Sequence, residues 1–313
     1  MWLYLAALLA LYLLRRWHRE RQMVGNLPDK HVFITGCDSG FGHLLAKQLD
    51  GRGLRVLAAC LTEQGAERLR QATSGRLQTV ILDVTCSDSI AAATAWVKGQ
   101  VGDRGLWGLV NNAGIGVPTA PNEWLRKADF VRVLDVNLVG LIEVTLSLLP
   151  LVRRARGRIV NVASTAGRLS VMGGGYCLAK YGVEAFSDSL RRELHSFGVK
   201  VSIIEPGGFQ TPLVNSQSLQ EAWSRAPAEI KEAYGQQFFE TYVERVQKFL
   251  TWTSSNLRLV TDPMEHALTA QHPRTRYSCG WDAKLFYLPV SYLPTSWADF
   301  ILTSSRHKPA QGI

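Results

Sequence analysis

Tyr176 and Lys180 stand four residues apart, and Ser164 lies twelve residues before the tyrosine, just after an apolar segment at 158–163. On a helix, residues at i and i+4 share a face, so the Lys180 ammonium is expected beside the Tyr176 phenol, where it favours the ionised form. A free phenol titrates near about 10, too high for a base at neutral pH, and each unit of depression needs about 1.4 kcal/mol. With Ser164 holding a substrate oxygen, the three side chains can move a proton. Taken alone, the pair also fits an exposed helix face, so the elements around it must decide.

Residues 31–35 read as a short buried strand that runs into a turn containing Gly36, Gly40 and Gly42, followed by a helical pattern at 43–49. Glycines there let backbone approach a pyrophosphate, while the following helix points free N–H groups at the anion. Further strands are expected at 55–60, 78–84, 106–111, 158–163 and 200–205, separated by segments long enough for crossover helices. The fold class is therefore α/β, a single doubly wound parallel sheet with helices on both faces. Its ligand crevice lies beyond the carboxyl ends of the strands, where Gly36, Asn111, Ser164 and Pro206 fall.

Thr35-Gly-x-x-x-Gly40-x-Gly42, the run Asn111, Asn112, Ala113 and Gly114, then Asn137, Ser164 and Tyr176-x-x-x-Lys180 occur in one order and at one set of spacings. Together they resemble the short-chain dehydrogenase/reductase family, from residue 29 to at least 211. The serine-to-tyrosine spacing is one residue shorter than in many members. The resemblance implies a Rossmann-like NAD-binding catalytic domain at 29–300, in which Asn137, Ser164, Tyr176 and Lys180 are catalytic and Ser164 also meets the substrate. It further implies that Thr35, Gly36, Ser39, Gly40, Phe41 and Gly42 cradle the cofactor phosphates, and that Asp83 and Val84 meet the adenine. Asn111 to Gly114 would line the cofactor floor, Tyr176 and Lys180 the nicotinamide ribose, and Pro206, Gly207 and Thr211 the carboxamide. Asn137 resembles an asparagine that keeps a water in a relay from the lysine to solvent; an amide filling a helix kink is the other reading.

Members that use NADP often carry a cation just before the second turn glycine or directly after the second strand. Here those places hold Ser39 and residues 60–63 (Cys, Leu, Thr, Glu), none of them cationic, and Asp38 adds a negative charge. NAD is expected over NADP, although the acidic residue usual after the second strand is also missing.

The chain has 313 residues, 46% of them hydrophobic, enough for a sizeable core. Residues 1–14 are wholly apolar and are followed by Arg15, Arg16, Arg19 and Arg21, so 1–22 reads as a membrane anchor with a basic flank. Fourteen apolar residues fall short of the roughly 20 needed for a span, but Trp17 and snorkelling arginines extend the reach. A cleaved signal peptide is the alternative, against which the basic residues lie on the wrong side and no Ala-x-Ala site follows. The positive-inside rule then makes 1–22 a signal anchor and places the catalytic domain in the cytosol. The formal charge of +9 includes a net +3 from residues 15–21 and is otherwise scattered, which suits lipid headgroups rather than nucleic acid. Five dispersed cysteines make neither a metal pattern nor a disulfide framework.

After Thr211 comes an amphipathic stretch carrying Leu219, Trp223, Ile230, Tyr234, Phe238, Phe239, Tyr242 and Phe249, read mostly as core and, over 212–260, as a substrate lid. The apolar segment 285–302 contains Pro289, Pro294 and Asp299, so it is expected on the bilayer surface or at the substrate entrance rather than across the membrane. With these ends included, the chain resembles the microsomal retinol dehydrogenases and their 3α- and 17β-hydroxysteroid-oxidising relatives. That implies an enzyme of the endoplasmic reticulum membrane interconverting a lipophilic alcohol, retinol or a hydroxysteroid, and its carbonyl. Its partners would be that small molecule and membrane lipid; assembly into a homo-oligomer stays open. The alternative is a catalytically silent lipid- or nucleotide-binding protein of the same fold, against which all four catalytic residues are present.

Overall fold

The computed structural model describes residues 1–213, 217–304 and 307–312, apart from the side chain of Leu3. In chain order the main elements are α1 (Trp2–Glu20), β1 (His31–Ile34), α2 (Gly40–Gly51), β2 (Arg55–Cys60), α3 (Glu63–Gln71), β3 (Gln78–Ile81), α4 (Ser87–Val101) and β4 (Gly108–Asn111). There follow α5 (Lys127–Leu134), α6 (Gly140–Arg154), β5 (Arg158–Val162), α7 (Gly175–Leu194) and β6 (Lys200–Pro206). The chain closes with α8 (Gln217–Arg225), α9 (Ala228–Tyr234), α10 (Gln236–Trp252), α11 (Arg258–Thr269), β7 (Arg276–Cys279), α12 (Leu288–Ser291) and α13 (Thr295–Thr303).

All seven strands are parallel, in the order β3-β2-β1-β4-β5-β6-β7. The order reverses between β1 and β4, so the two loops leaving those strands open the crevice. Alternating side chains divide the core: Val32 and Ile34 pack on one face with Leu45, Leu49, Val260 and Leu268, while Phe33 packs on the other with Val97, Leu148 and Leu190. The expected strands are all present, with β3 ending at Ile81 and β4 starting at Gly108. β7 was not anticipated; at the sheet edge its four residues alternate between half-buried and buried, and two of them are polar.

α5 and α6 are joined through a π-helical turn at Asp135–Val139. The resulting helix, Lys127–Arg154, is the one among the described residues long and apolar enough to cross a membrane. It is a core helix, because Val133, Leu141, Val144, Leu148, Leu151 and Val152 are buried. α1 differs, with Trp2, Tyr4, Leu8, Leu11, Tyr12 and Leu14 all more than 60% exposed. Only its base is fastened. Glu20 pairs with Arg274 and Arg16, His266 bonds the Glu20 carbonyl at 2.8 Å, and Met23 bridges Ala270 antiparallel.

Between β6 and β7, α8, α9 and α10 form a second layer around Trp124. That indole is nearly buried and has Trp223, Tyr234, Phe238, Phe239 and Tyr242 within ring-contact distance. Of the stripe expected to be mostly core, Leu219 and Trp223 are buried, Ile230, Tyr234, Phe238, Phe239 and Tyr242 are half-buried against them and Phe249 is exposed, while residues 214–216 of the expected lid lie outside the described residues. Trp124→Ala is expected to remove about 3–5 kcal/mol of stability, read as a lower midpoint in chemical denaturation, because it leaves a cavity among five rings.

Candidate active site

The turn after β1 has the shape of an anion cradle for reasons visible in its own atoms. Gly36 and Gly40 take φ of +70° and +61°, and a methyl at Gly36 would stand 2.8 Å from the Ala113 Cα. A side chain at Gly42 would strike the Gly36 carbonyl and the Asn112 amide. No side chain caps the N-terminus of α2 at Ser39, so its first N–H groups are left for an anion. These features fit a dinucleotide.

Several residues read as cofactor ligands also build this crevice. The Thr35 hydroxyl accepts from the Asn112 and Ala113 amides, both at 3.0 Å, and the Asn112 side chain donates to the Thr35 and Gly36 carbonyls at 2.9 and 3.0 Å. The Asn111 amide points into the core, donating to Thr145 Oγ1 and Asn161 Oδ1 at 2.8 Å each. Of the run at 111–114, backbone at Ala113 and Gly114 is what remains to form a floor. Asp83 accepts from the backbone and hydroxyl of Thr85, which hold its carboxyl below its usual value, and the neighbouring Val84 side chain is buried. The Asp38 carboxylate accepts from the amides of Leu61 and Thr62 and from the Thr62 hydroxyl at 2.7–3.0 Å, and Thr62 in turn caps α3.

Ser164 follows β5, and Tyr176 and Lys180 lie in the first two turns of α7, which packs beside that strand. The Tyr176 phenol lies beside Ser164, whose Oγ donates to the Pro206 carbonyl at 3.3 Å and accepts from the Ala166 amide at 3.1 Å. The lysine differs from expectation. Its Nζ donates to the Val162 carbonyl at 2.7 Å and stands 5.6 Å from the centre of the Tyr176 ring. Burial lowers Lys180 to about 8 and pushes the phenol up to about 12, with the neighbouring Ser164 hydroxyl acting the other way. The expected depression of Tyr176 by Lys180 is therefore corrected for this geometry, because desolvation outweighs any help from a cation committed to a carbonyl. Asn137 sits fully buried in the π-helical turn, accepting from the Ile115 amide at 2.8 Å and donating to the Ile115 carbonyl at 2.7 Å. It pins the loop after β4 to the helix kink.

Ser164 and Tyr176 open onto a cavity of about 420 Å³ lined also by Met172, Phe209, Phe249 and Tyr287. Phe209 stands edge-on to Phe41 at 5.6 Å, joining the far wall to the glycine turn. Thr211 also lines the cavity and brings its methyl against Gly40. Sequence reading passed over Met172 and Phe209, since isolated apolar residues carry no periodic signal and only their closeness to Tyr176 and Pro206 marked them; Tyr287 belongs to the segment 285–302 expected at the substrate entrance.

A hydroxyl-bearing phenol, a serine and a buried lysine beyond the carboxyl ends of a parallel sheet, beside a glycine cradle, form one arrangement, and comparison with known proteins agrees. The family model described as short chain dehydrogenase matches residues 30–222. The chain belongs to the short-chain dehydrogenase family. It is an alcohol dehydrogenase of the short-chain type, whose cofactor is NAD or NADP. It is 65% identical to 17-beta-hydroxysteroid dehydrogenase type 6 of Homo sapiens and 64% identical to retinol dehydrogenase 7 of Rattus norvegicus, each over the full length of both chains. A short-chain dehydrogenase/reductase from Burkholderia phymatum, solved with NAD, shares the fold, with a TM-score of 0.69 at 22% identity over 91% of this chain and 97% of that one.

Tyr176→Phe keeps the ring but removes the transferable proton, so kcat should fall at least about a hundredfold while nucleotide binding is retained. Because the phenol must ionise from a raised pKa, wild-type kcat/KM for alcohol oxidation should climb with pH between about 7 and 9. A flat pH profile in steady-state assays would contradict this role.

Proposed function

We propose that this enzyme is a membrane-bound, NAD-dependent dehydrogenase of lipophilic alcohols, with all-trans-retinol and 3α- or 17β-hydroxysteroids as substrates. The observation that carries the reading is the apolar cavity with Ser164 and Tyr176 in its wall, in a chain more than 60% identical to proteins named for retinol and for hydroxysteroid oxidation. Ser164 holds the substrate oxygen. Tyr176 takes the hydroxyl proton as the carbonyl forms, and Lys180, hydrogen-bonded to the Val162 carbonyl, keeps further N–H groups as donors for the nicotinamide ribose. A bound NAD would supply the hydride acceptor for the carbinol carbon. Asn137 holds the kink and the Ile115 backbone that shape this end of the site, and the segment from Pro206 through Gly207 to Thr211 meets the carboxamide.

NAD is favoured by the charges at the end of β2. An anion placed beside Leu61 and Thr62 meets the Asp38 carboxylate already bound there, and neither Ser39 nor residues 60–63 offer a cation. The ratio of kcat/KM should therefore favour NAD, and Ser39→Arg or Leu61→Arg should raise the use of NADP. A wild-type enzyme that prefers NADP would overturn this assignment.

The membrane reading rests on exposed apolar surface in two places. α1 carries it over residues 1–14, and Trp281, Leu285, Tyr292, Trp297 and Phe300 carry it beyond β7, adjoining Tyr287 of the cavity wall. We place α1 in the endoplasmic reticulum bilayer with its arginines and the catalytic domain on the cytosolic side, and the segment 285–302 at the lipid surface, where substrate enters. Deleting residues 1–14 leaves Glu20 and Met23 to hold the base of α1, so the shortened enzyme should fold and distribute largely to the soluble fraction. Protease treatment of intact microsomes should digest the wild-type domain; protection would place it in the lumen.

A further inference from the structure

Asp282 belongs to the run Gly280-Trp-Asp-Ala-Lys284, to which the reaction assigns no role, and it follows the edge strand β7 on the side of the crevice. Its Oδ2 accepts from the backbone amide of Gly208 at 2.6 Å. Both carboxylate oxygens crowd the place where a Cβ of Gly207 would stand, and one crowds that of Gly280, which has φ of +98°. The Gly207 amide donates to the Cys279 carbonyl at 2.9 Å. Two missing side chains thus admit one carboxylate, and the loop leaving β6 is fastened to the end of β7 at two successive amides. Among the described residues no cation lies within ion-pair distance of Asp282, so its charge is spent on the Gly208 amide and not on a salt bridge. A carboxylate accepting from an amide makes a shorter and stronger bond than a neutral acceptor would.

We propose that Asp282 is a positioning residue that sets the loop Pro206–Gly208, and through it the seat of the nicotinamide half of the cofactor. This deepens the reading in which that loop meets the carboxamide. The adenosine half is held at the opposite side of the crevice by the turn after β1 and by the clamp of Asp38 on the end of β2, neither of which touches Asp282. The two halves of the cofactor are therefore tuned by separate carboxylates.

The test is calorimetric titration of the full chain in detergent micelles with NAD and with ADP-ribose, which lacks the nicotinamide. Asp282→Ala should weaken NAD about tenfold or more while ADP-ribose affinity stays within about twofold. Asp282→Asn keeps an acceptor for the Gly208 amide and should recover most of the NAD affinity. Gly207→Ala, which displaces the carboxylate from the opposite side, should reproduce the selective loss and serves if Asp282→Ala does not fold. Equal loss of both ligands, or no loss of NAD, would overturn the proposal. If the wild-type enzyme binds NAD no more tightly than ADP-ribose, the assignment of the loop to the nicotinamide fails first.

Discussion

Where β1 and β4 lie side by side, the chain turns outward in both directions and leaves two loops facing each other across a gap that only small atoms fit. Thr35 and Asn112 tie those loops together through four hydrogen bonds, all between a side chain of one loop and backbone of the other. Because the ties use main-chain groups that would otherwise be buried unpaired, they hold the gap open as well as closed to a fixed width. Gly36 and Gly42 supply the close approach that the ties require. The cradle, the floor and the placement of Asn137 on Ile115 all inherit their geometry from this junction.

A similar economy runs beneath the catalytic helix. Asn111 donates to Asn161, Asn161 donates to Ser187, and Ser187 donates to the Val183 carbonyl, forming a fully buried polar chain from β4 through β5 to α7. It fixes the rotation of α7 about its own axis, and with it the direction of Tyr176 and Lys180. Such networks specify one arrangement more than they add stability.

The pattern of buried strands, the glycine turn and the spacing of Ser164, Tyr176 and Lys180 were legible because each follows from local periodicity or from a short run of residue types. What stayed hidden were long-range partners. Nothing near Lys180 in sequence announces that its ammonium meets the Val162 carbonyl, and nothing near Asn112 shows that its amide belongs to the turn after β1. The seventh strand escaped because its alternation runs for only four residues, Arg276 to Cys279, too short a run to tell a strand from a loop. Burial, the quantity that moved Tyr176 opposite to expectation, is a property of the whole fold and cannot be read from an i,i+4 pair.

Asp38 has one consequence for how this enzyme can change over time. Its carboxylate accepts three hydrogen bonds at the end of β2, and the hydroxyl it orients at Thr62 accepts from the Gly65 amide to cap α3. The residue whose charge bears on the proposed choice of cofactor is thus the same one that fastens the turn after β1 to the joint between β2 and α3. A lineage losing that charge would also loosen a folded joint, so the loss requires a compensating substitution in the turn at 60–63 before or together with it. Replacing Asp38 is in this way constrained by stability, whichever nicotinamide cofactor the site takes.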